Sequence, residues 1–331
     1  MRALVVSNML PDDEHPERGR FVRDQVAALR GLEELEVELY EFAPGARSLA
    51  RAARDMRRRF ASHATLRSAG GGGEQGAPGF DVVHAHFGLT AWPALAVPAR
   101  VRALTIHGTD LHHHRTRLAT LGALPLVDLL ATVSSSLAEE LPLRRTRRRA
   151  QVLPCGVDVE RFRPLARAGA RAELGLDAER PYVLFPADPS RAEKRHDRAA
   201  ALAADTGVEL LTLGGVDPLR VPQWVNAANA VLVPSEREGF GLAVLEALAC
   251  DVPVLATPVG IHAEALDGVD GTLCAPFDLS SWRSALEPHL RGADPRVAGR
   301  PHALRFSSAE MAGRVATAWR AALQRSGEPS G

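Results

Sequence analysis

Two carboxylates, Glu238 and Glu246, stand with seven residues between them in the stretch 234–264, PSEREGFGLAVLEALACDVPVLATPVGIHAE. Residues 234 and 235 close a short apolar run, Gly239 and Gly241 relax the backbone, and 242–250 reads as a helix. A glycine-rich turn lets the main chain approach a ligand closely, and the free N–H groups and dipole of the following helix favour an anion there. If the whole step were helical, the two glutamates would lie about 12 Å apart along the axis and about 80° apart around it. The paired carboxylates of a retaining glycoside hydrolase sit about 5 to 5.5 Å apart, so that chemistry is not expected. Two readings remain open. In one, a single extended ligand is gripped at two points, with Glu238 at the reacting end and Glu246 on neutral hydroxyls. In the other, both are solvated carboxylates near a helix start, where glutamate is common.

The elements that must position this turn are visible as short apolar runs alternating with helical patterns, the signature of βαβ units and a parallel sheet. The first half offers runs at 2–7, 36–41, 80–85, 102–106, 129–133 and 151–153. After a segment rich in Pro and Arg (154–180), the pattern restarts at 182–185 and continues at 208–213, 230–233, 253–256 and 272–274. Two similar α/β domains are therefore expected, 1–158 and 159–307, with a C-terminal helix over 308–331 completing the first. A helical pattern covers 302–324, with Phe306, Met311, Val315 and Trp319 on one apolar stripe.

Ligands of open parallel sheets bind outside the carboxyl ends of the strands, so the residues after each run carry most weight. Gly19 opens a helix pattern after the first. His84 and His86 alternate onto one face of the third. After the fourth come His107, Gly108 and Asp110. His107 is either a proton-handling group, since an unperturbed imidazole titrates near neutrality, or a structural histidine. The run His112, His113, His114 has no metal-ligand spacing, and no metal is expected. After the run 182–185, Arg191 and Lys194 precede a helix, where cations suit a pyrophosphate.

Residues 46–60 pattern as a basic amphipathic helix, with Leu49, Ala53, Met56 and Phe60 on one stripe and Arg47, Arg51, Arg54 and Arg58 on another. The arginines read as a solvated face or as a contact for an anionic lipid surface. Residues 144–149, RRTRRR, add a basic run expected in a loop, and 68–79 read as a glycine-rich surface loop.

Composition excludes several classes. The 331 residues are 46% hydrophobic and 24% charged, ordinary for a globular protein, with 40 basic and 40 acidic side chains. Zero formal charge gives no whole-molecule field for nucleic acid. The three cysteines, Cys155, Cys250 and Cys274, match no metal spacing and suit buried thiols in a reducing compartment. The first ten residues read as a strand rather than a signal peptide, and no apolar run approaches the roughly 18 residues of a membrane span. A cytoplasmic protein is expected, with at most peripheral contact at the inner membrane face.

The motifs GRFVRDQVAAL (19–29), DVVHAH (81–86), TIHGTD (105–110), ATVSSSLAEEL (131–141), VLPCGVDVERFRP (152–164) and the stretch opened above resemble, in order, the retaining glycosyltransferases of family 4 with the GT-B fold. The resemblance implies two Rossmann-like domains with parallel sheets facing across a cleft. It implies transfer of a sugar from a nucleotide-diphosphate sugar to a saccharide or lipid-linked acceptor, as in polysaccharide or glycoconjugate biosynthesis. The implied alternatives are a nucleotide-sugar epimerase and a non-catalytic sugar-nucleotide binder. It further implies His107 and Glu238 as catalytic groups at the transferred sugar. Donor contacts would come from Arg191, Lys194, Gly239, Phe240, Gly241, Leu242 and Glu246, acceptor contacts from Gly19, His86 and Asp110, and no metal or other cofactor would be required. Where the family has Gly-Arg after the second domain's first strand, this chain has Ala187 and Asp188, with Arg191 three residues later.

Overall fold

Runs of Val, Leu, Ile and Ala form most of the parallel strands and are among the least exposed residues in the chain; the strand Glu36–Glu41, with three glutamates, is the charged and half-exposed exception. The computed structural model describes residues 1–12, 18–66 (backbone only over 61–66), 79–292, 294 and 296–327; most of the glycine-rich stretch, 68–78, and the last four residues lie outside the described residues. The described strands are β1 (Arg2–Ser7), β2 (Glu36–Glu41), β3 (Phe80–His86), β4 (Ala99–Ile106), β5 (Leu129–Thr132), β6 (Gln151–Val152), β7 (Tyr182–Phe185), β8 (Glu209–Thr212), β9 (Ala230–Val233), β10 (Val254–Ala256) and β11 (Leu273–Cys274). The chain divides into two units, Met1–Pro154 with Met311–Gly331, and Cys155–Glu310. The first carries the sheet β2-β1-β3-β4-β5-β6 and the second the sheet β11-β10-β9-β7-β8, parallel throughout. β4 begins earlier than its apolar run because Phe80 on β3 pairs with Ala99, and backbone pairing needs no apolar side chain at a strand's end.

The single C-terminal helix expected over 302–324 is two helices, Arg300–Leu304 and Ser308–Gly327. The break has a backbone cause. Val157 N donates to Phe306 O at 2.8 Å and Ser308 N donates to Val157 O at 2.9 Å, so the chain leaves the helix to bridge a distant segment. Phe306 therefore drops out of the stripe. Met311, Val315 and Trp319 keep it and pack in the core of the first unit with Val5, Val26 and Val82.

Trp319 is fully buried, and its indole N–H donates to His84 Nδ1 at 3.1 Å. Trp319→Phe keeps most of the apolar contact and leaves that nitrogen without a donor, so it is expected to cost about 1–3 kcal/mol. Urea unfolding of the variant measures this, and an unchanged midpoint would show the bond to be worthless.

The helix Ala46–Leu66 buries Ala52, Met56 and Phe60, with Leu49 and Ala53 half-covered, while Arg47, Arg51, Arg54 and Arg58 are exposed. Residues 144–149 are not a loop but a short helix, Arg144–Arg149. Arginine is a good helix former, Thr146 Oγ1 donates to Leu143 O at 2.6 Å, and Arg149 donates to the carbonyls of Leu124 and Val127, which anchors the segment's end.

Candidate active site

In the second unit β7 and β9 are neighbours, yet the chain leaves β7 toward β8 on one side and continues from β9 to β10 and β11 on the other. Connections diverging in this way open a crevice at the carboxyl ends of the two central strands. The loops leaving those ends are 186–195 and 234–241, and they meet: Glu236 N donates to Glu193 O at 2.9 Å. The first loop closes in a 3₁₀ turn, Ala192–Lys194, and Arg195 then takes a left-handed φ of 57° before the helix His196–Thr206. This kink coincides with an inward Lys194, whose Nζ lies 2.7 Å from both carboxylate oxygens of Glu238.

Glu238 is nearly enclosed, its side chain 8% exposed, and Ser235 Oγ donates to its Oε1 at 2.7 Å. Burial alone would raise its pKa. The charge of Lys194, the electrostatic pull of the His262 ring and the hydrogen bonds from Lys194 and Ser235 outweigh burial and hold it below the ordinary glutamate value. Arg191 does not join this pair; it is exposed and forms a two-nitrogen contact with Glu193 Oε1 at 2.8 and 3.0 Å.

Gly239 and the buried Phe240 lead into Gly241, which caps the helix Leu242–Ala249 with φ 102°. A Cβ at Gly241 would overlap His262 Nε2, so the position has neither the backbone conformation nor the room for a side chain. Ile261 N donates to Phe240 O at 2.8 Å, fixing the turn against the next helix start. Leu242 and Glu246 are half-buried on that helix. Ser235 and His262 are additions to the residues expected from sequence. Ser235 carried a signal, a hydroxyl in a turn at a strand's carboxyl end; a lone histidine beyond the next strand carried none.

In the first unit, His84, His86 and His107 stack in a row, with ring centroids 4.8 and 5.1 Å apart. His84 Nδ1 accepts from Trp319, so its proton is on Nε2, 2.7 Å from Thr105 Oγ1. His86 Nδ1 and His107 Nε2 are 2.9 Å apart. Burial pushes His86 down to about 3, and burial with the neighbouring imidazoles holds His107 well below the ordinary histidine value. The near-neutral titration of an unperturbed imidazole therefore does not carry over to His107.

Asp110, 4% exposed, accepts from Gly88 N at Oδ1 and from His107 N at Oδ2, both at 2.7 Å. Its carboxylate clasps two loop ends, and His86 is 1% exposed. Gly19 caps the helix Arg20–Arg30 with φ 70°, where a Cβ would overlap the Met9 carbonyl. Among the described residues no group of three or more His, Cys, Asp or Glu is placed to hold a metal ion, and no helix is long and apolar enough to cross a membrane.

The fold is shared with known sugar-transferring enzymes. Sucrose-phosphate synthase from Thermosynechococcus elongatus superposes with a TM-score of 0.69 at 19% identity, covering 98% of this chain and all of that one. The catalytic domain of starch synthase IV from Arabidopsis thaliana, bound to ADP and acarbose, gives 0.70 at 11% identity, covering 98% and 99%. Anabaena Alr3699/HepE in complex with UDP-glucose gives 0.67 at 14% identity, covering 97% and 100%. The architecture is thus GT-B.

A model described as Glycosyltransferase Family 4 matches residues 9–161, and one described as Glycosyl transferases group 1 matches 187–291. A D-inositol 3-phosphate glycosyltransferase of Frankia alni is 30% identical over 290 residues, 66% of this chain and 70% of that protein. The protein of that name from Thermobispora bispora is 30% identical over 308 residues, 74% and 72%. In the Mycolicibacterium paratuberculosis protein of that name, 36% identity extends over 183 residues, 45% of this chain and 41% of the relative. This chain belongs to the family 4 glycosyltransferases of the GT-B fold.

Proposed function

We propose that this chain moves a sugar from a nucleotide-diphosphate sugar to a saccharide or lipid-linked acceptor, with retention at the anomeric carbon and without a metal. The observation that carries the reading is the Lys194–Glu238 pair beside the Gly241 turn, at the carboxyl ends of two central strands. There the helix Leu242–Ala249 offers N–H groups to a diphosphate and Lys194 a point charge, while Glu238 accepts from sugar hydroxyls and Glu246 from the ribose. As the bond from the anomeric carbon to the diphosphate breaks and the acceptor oxygen bonds from the same face, negative charge grows on the departing phosphate. Groups already aimed at that charge lower the barrier without reorganising. A His107 ring held well below the ordinary histidine value is a weak base, which suits a hydrogen-bonding rather than a proton-abstracting role. The names of the relatives favour a polyol phosphate among the acceptors to be tried.

Calorimetry with uridine, guanosine and adenosine diphosphates tests the donor site. One of them is expected to bind, and Glu246→Ala to weaken it by about 10-fold or more, the loss of a charge-assisted hydrogen bond. No binding by any of the three, or affinity unchanged in the variant, sinks the reading. Transfer in the presence of EDTA tests metal independence.

The arginine face of the helix Ala46–Leu66 supports peripheral contact with an anionic surface as part of the same reading. Cosedimentation with vesicles containing anionic lipid is expected to fall when Arg47, Arg51, Arg54 and Arg58 are all changed to Gln.

A further inference from the structure

The Lys194–Glu238 pair has a third ionisable neighbour. His262 is fully buried at the start of the helix His262–Leu266, with Nδ1 2.8 Å from the Thr257 carbonyl oxygen. A carbonyl only accepts, so Nδ1 carries the ring proton and Nε2 keeps its lone pair. Among the described residues that Nε2 has no hydrogen-bond partner, and it lies against Gly241.

The ring belongs to one hydrogen-bonded cluster with the carboxylate: Thr257 Oγ1 donates to Ser235 O at 2.5 Å, and Ser235 Oγ donates to Glu238 Oε1 at 2.7 Å. Gly260 brings the same helix start close enough that a Cβ there would lie 3.0 Å from Glu238 Cβ. The elements packed on the His262 helix bring Glu246, Arg300, His302 and Cys274 as their ionisable groups. Of these, Arg300 is committed to the carbonyls of Phe162, Ala249 and Val159, and His302 to Arg305. Burial keeps the imidazole below the ordinary histidine value; Glu238 and the Thr257 carbonyl pull it upward, and Lys194 pushes it further down.

A buried carboxylate that loses its cation must gain another positive charge or a proton. Lys194 has a single ammonium and, on the donor-site reading above, two uses for it. We propose that when Lys194 turns from Glu238 to the donor diphosphate, His262 takes up a proton from solvent at Nε2 and replaces it as the counter-charge of Glu238. The proton adds to the free lone pair, neutral imidazole becomes imidazolium, and the charge around Glu238 is conserved. Donor binding is then coupled to proton uptake and strengthens as pH falls through the bound-state pKa of His262.

Lys194→Met removes the ammonium permanently and needs no ligand, so this test stands whether or not a donor is found. In histidine-labelled full-length protein, titrated by NMR from pH 5 to 8, the His262 pKa is expected to rise by about 1 to 3 pH units over wild type. Lys194→Arg should keep it low, and K194M/E238Q should return it to the wild-type position. Lys194→Gln, with far-UV circular dichroism matching wild type, guards against a packing effect of Met. The proposal is overturned if Nε2 stays unprotonated down to pH 5 in both neutral variants, or if the Glu238 carboxyl itself takes the proton. A second arm uses calorimetry of a nucleotide sugar in two buffers of different ionisation enthalpy. Wild type should take up a proton on binding and His262→Gln should not; binding without uptake in wild type also overturns the proposal.

Discussion

Glu238→Gln is expected to lower kcat by about 10²- to 10³-fold, the usual loss when a preorganised group is removed from developing charge, here the positive charge that builds on the sugar as its bond to the diphosphate breaks. Glutamine keeps the volume and one carbonyl, so the site stays filled while its charge is gone. The same change strands the ammonium of Lys194, which is 17% exposed. Breaking a fully buried pair costs about 3–5 kcal/mol, and a lysine that can reach water should recover part of it, leaving about 2–3 kcal/mol of lost stability. K194M/E238Q removes both charges, so it should regain most of that stability and none of the activity. Urea unfolding and initial rates on the same preparations separate the two effects; a double variant that recovers activity would remove Glu238 from the chemistry.

The pH dependence follows from the sign of the shift. Glu238 is held below the ordinary glutamate value, so its contribution is present above the unfolded value near 4.5 and is lost as pH falls through the folded one. Unfolding measured from pH 6 down to 3 should show an acid limb that is shallower in K194M/E238Q, where only the other lowered carboxylates, such as Glu193, still contribute.

The strands were legible because residues buried on both faces of a parallel sheet must be apolar, and few other segments of this chain are. Glu238 and Gly241 were legible because a strand end, two glycines and a helix start leave a local pattern. The partnership of Lys194 with Glu238 left none. It links residues 44 positions apart and exists because β7 and β9 lie side by side, which strand order decides and local sequence does not. Arg191 and Lys194 looked equally suited to a phosphate, yet Arg191 found an acidic partner two residues along while Lys194 was turned inward by the 3₁₀ turn and the left-handed Arg195. His107 shows the same gap in another form: the residue type carries only the unperturbed value, and desolvation beside two buried imidazoles holds it well below that. The break at 305–307 came from a bridge to Val157 that no helical pattern encodes.

Gly241→Ala is the sharper test of the turn, because two independent penalties meet at one Cβ. The backbone φ of 102° lies where L residues are strained, worth about 1–3 kcal/mol. The added carbon would also overlap His262 Nε2, and forced overpacking costs about 1–3 kcal/mol more. A total loss of about 2–6 kcal/mol is expected, and donor affinity should fall with it, since the first N–H groups of the helix Leu242–Ala249 take their direction from this residue. The two parts can be separated. In G241A/H262A the imidazole is gone, so the penalty of the new methyl against the H262A background should shrink to that of backbone strain alone. Gly169→Ala is the control from the same unit: it lies inside the helix Arg167–Leu174 with open space at its Cβ, and the change should stabilise by roughly 0.5–1 kcal/mol. If Gly241→Ala were as benign as Gly169→Ala, the turn would be adaptable, and a site built on its fixed N–H groups would lose its physical basis.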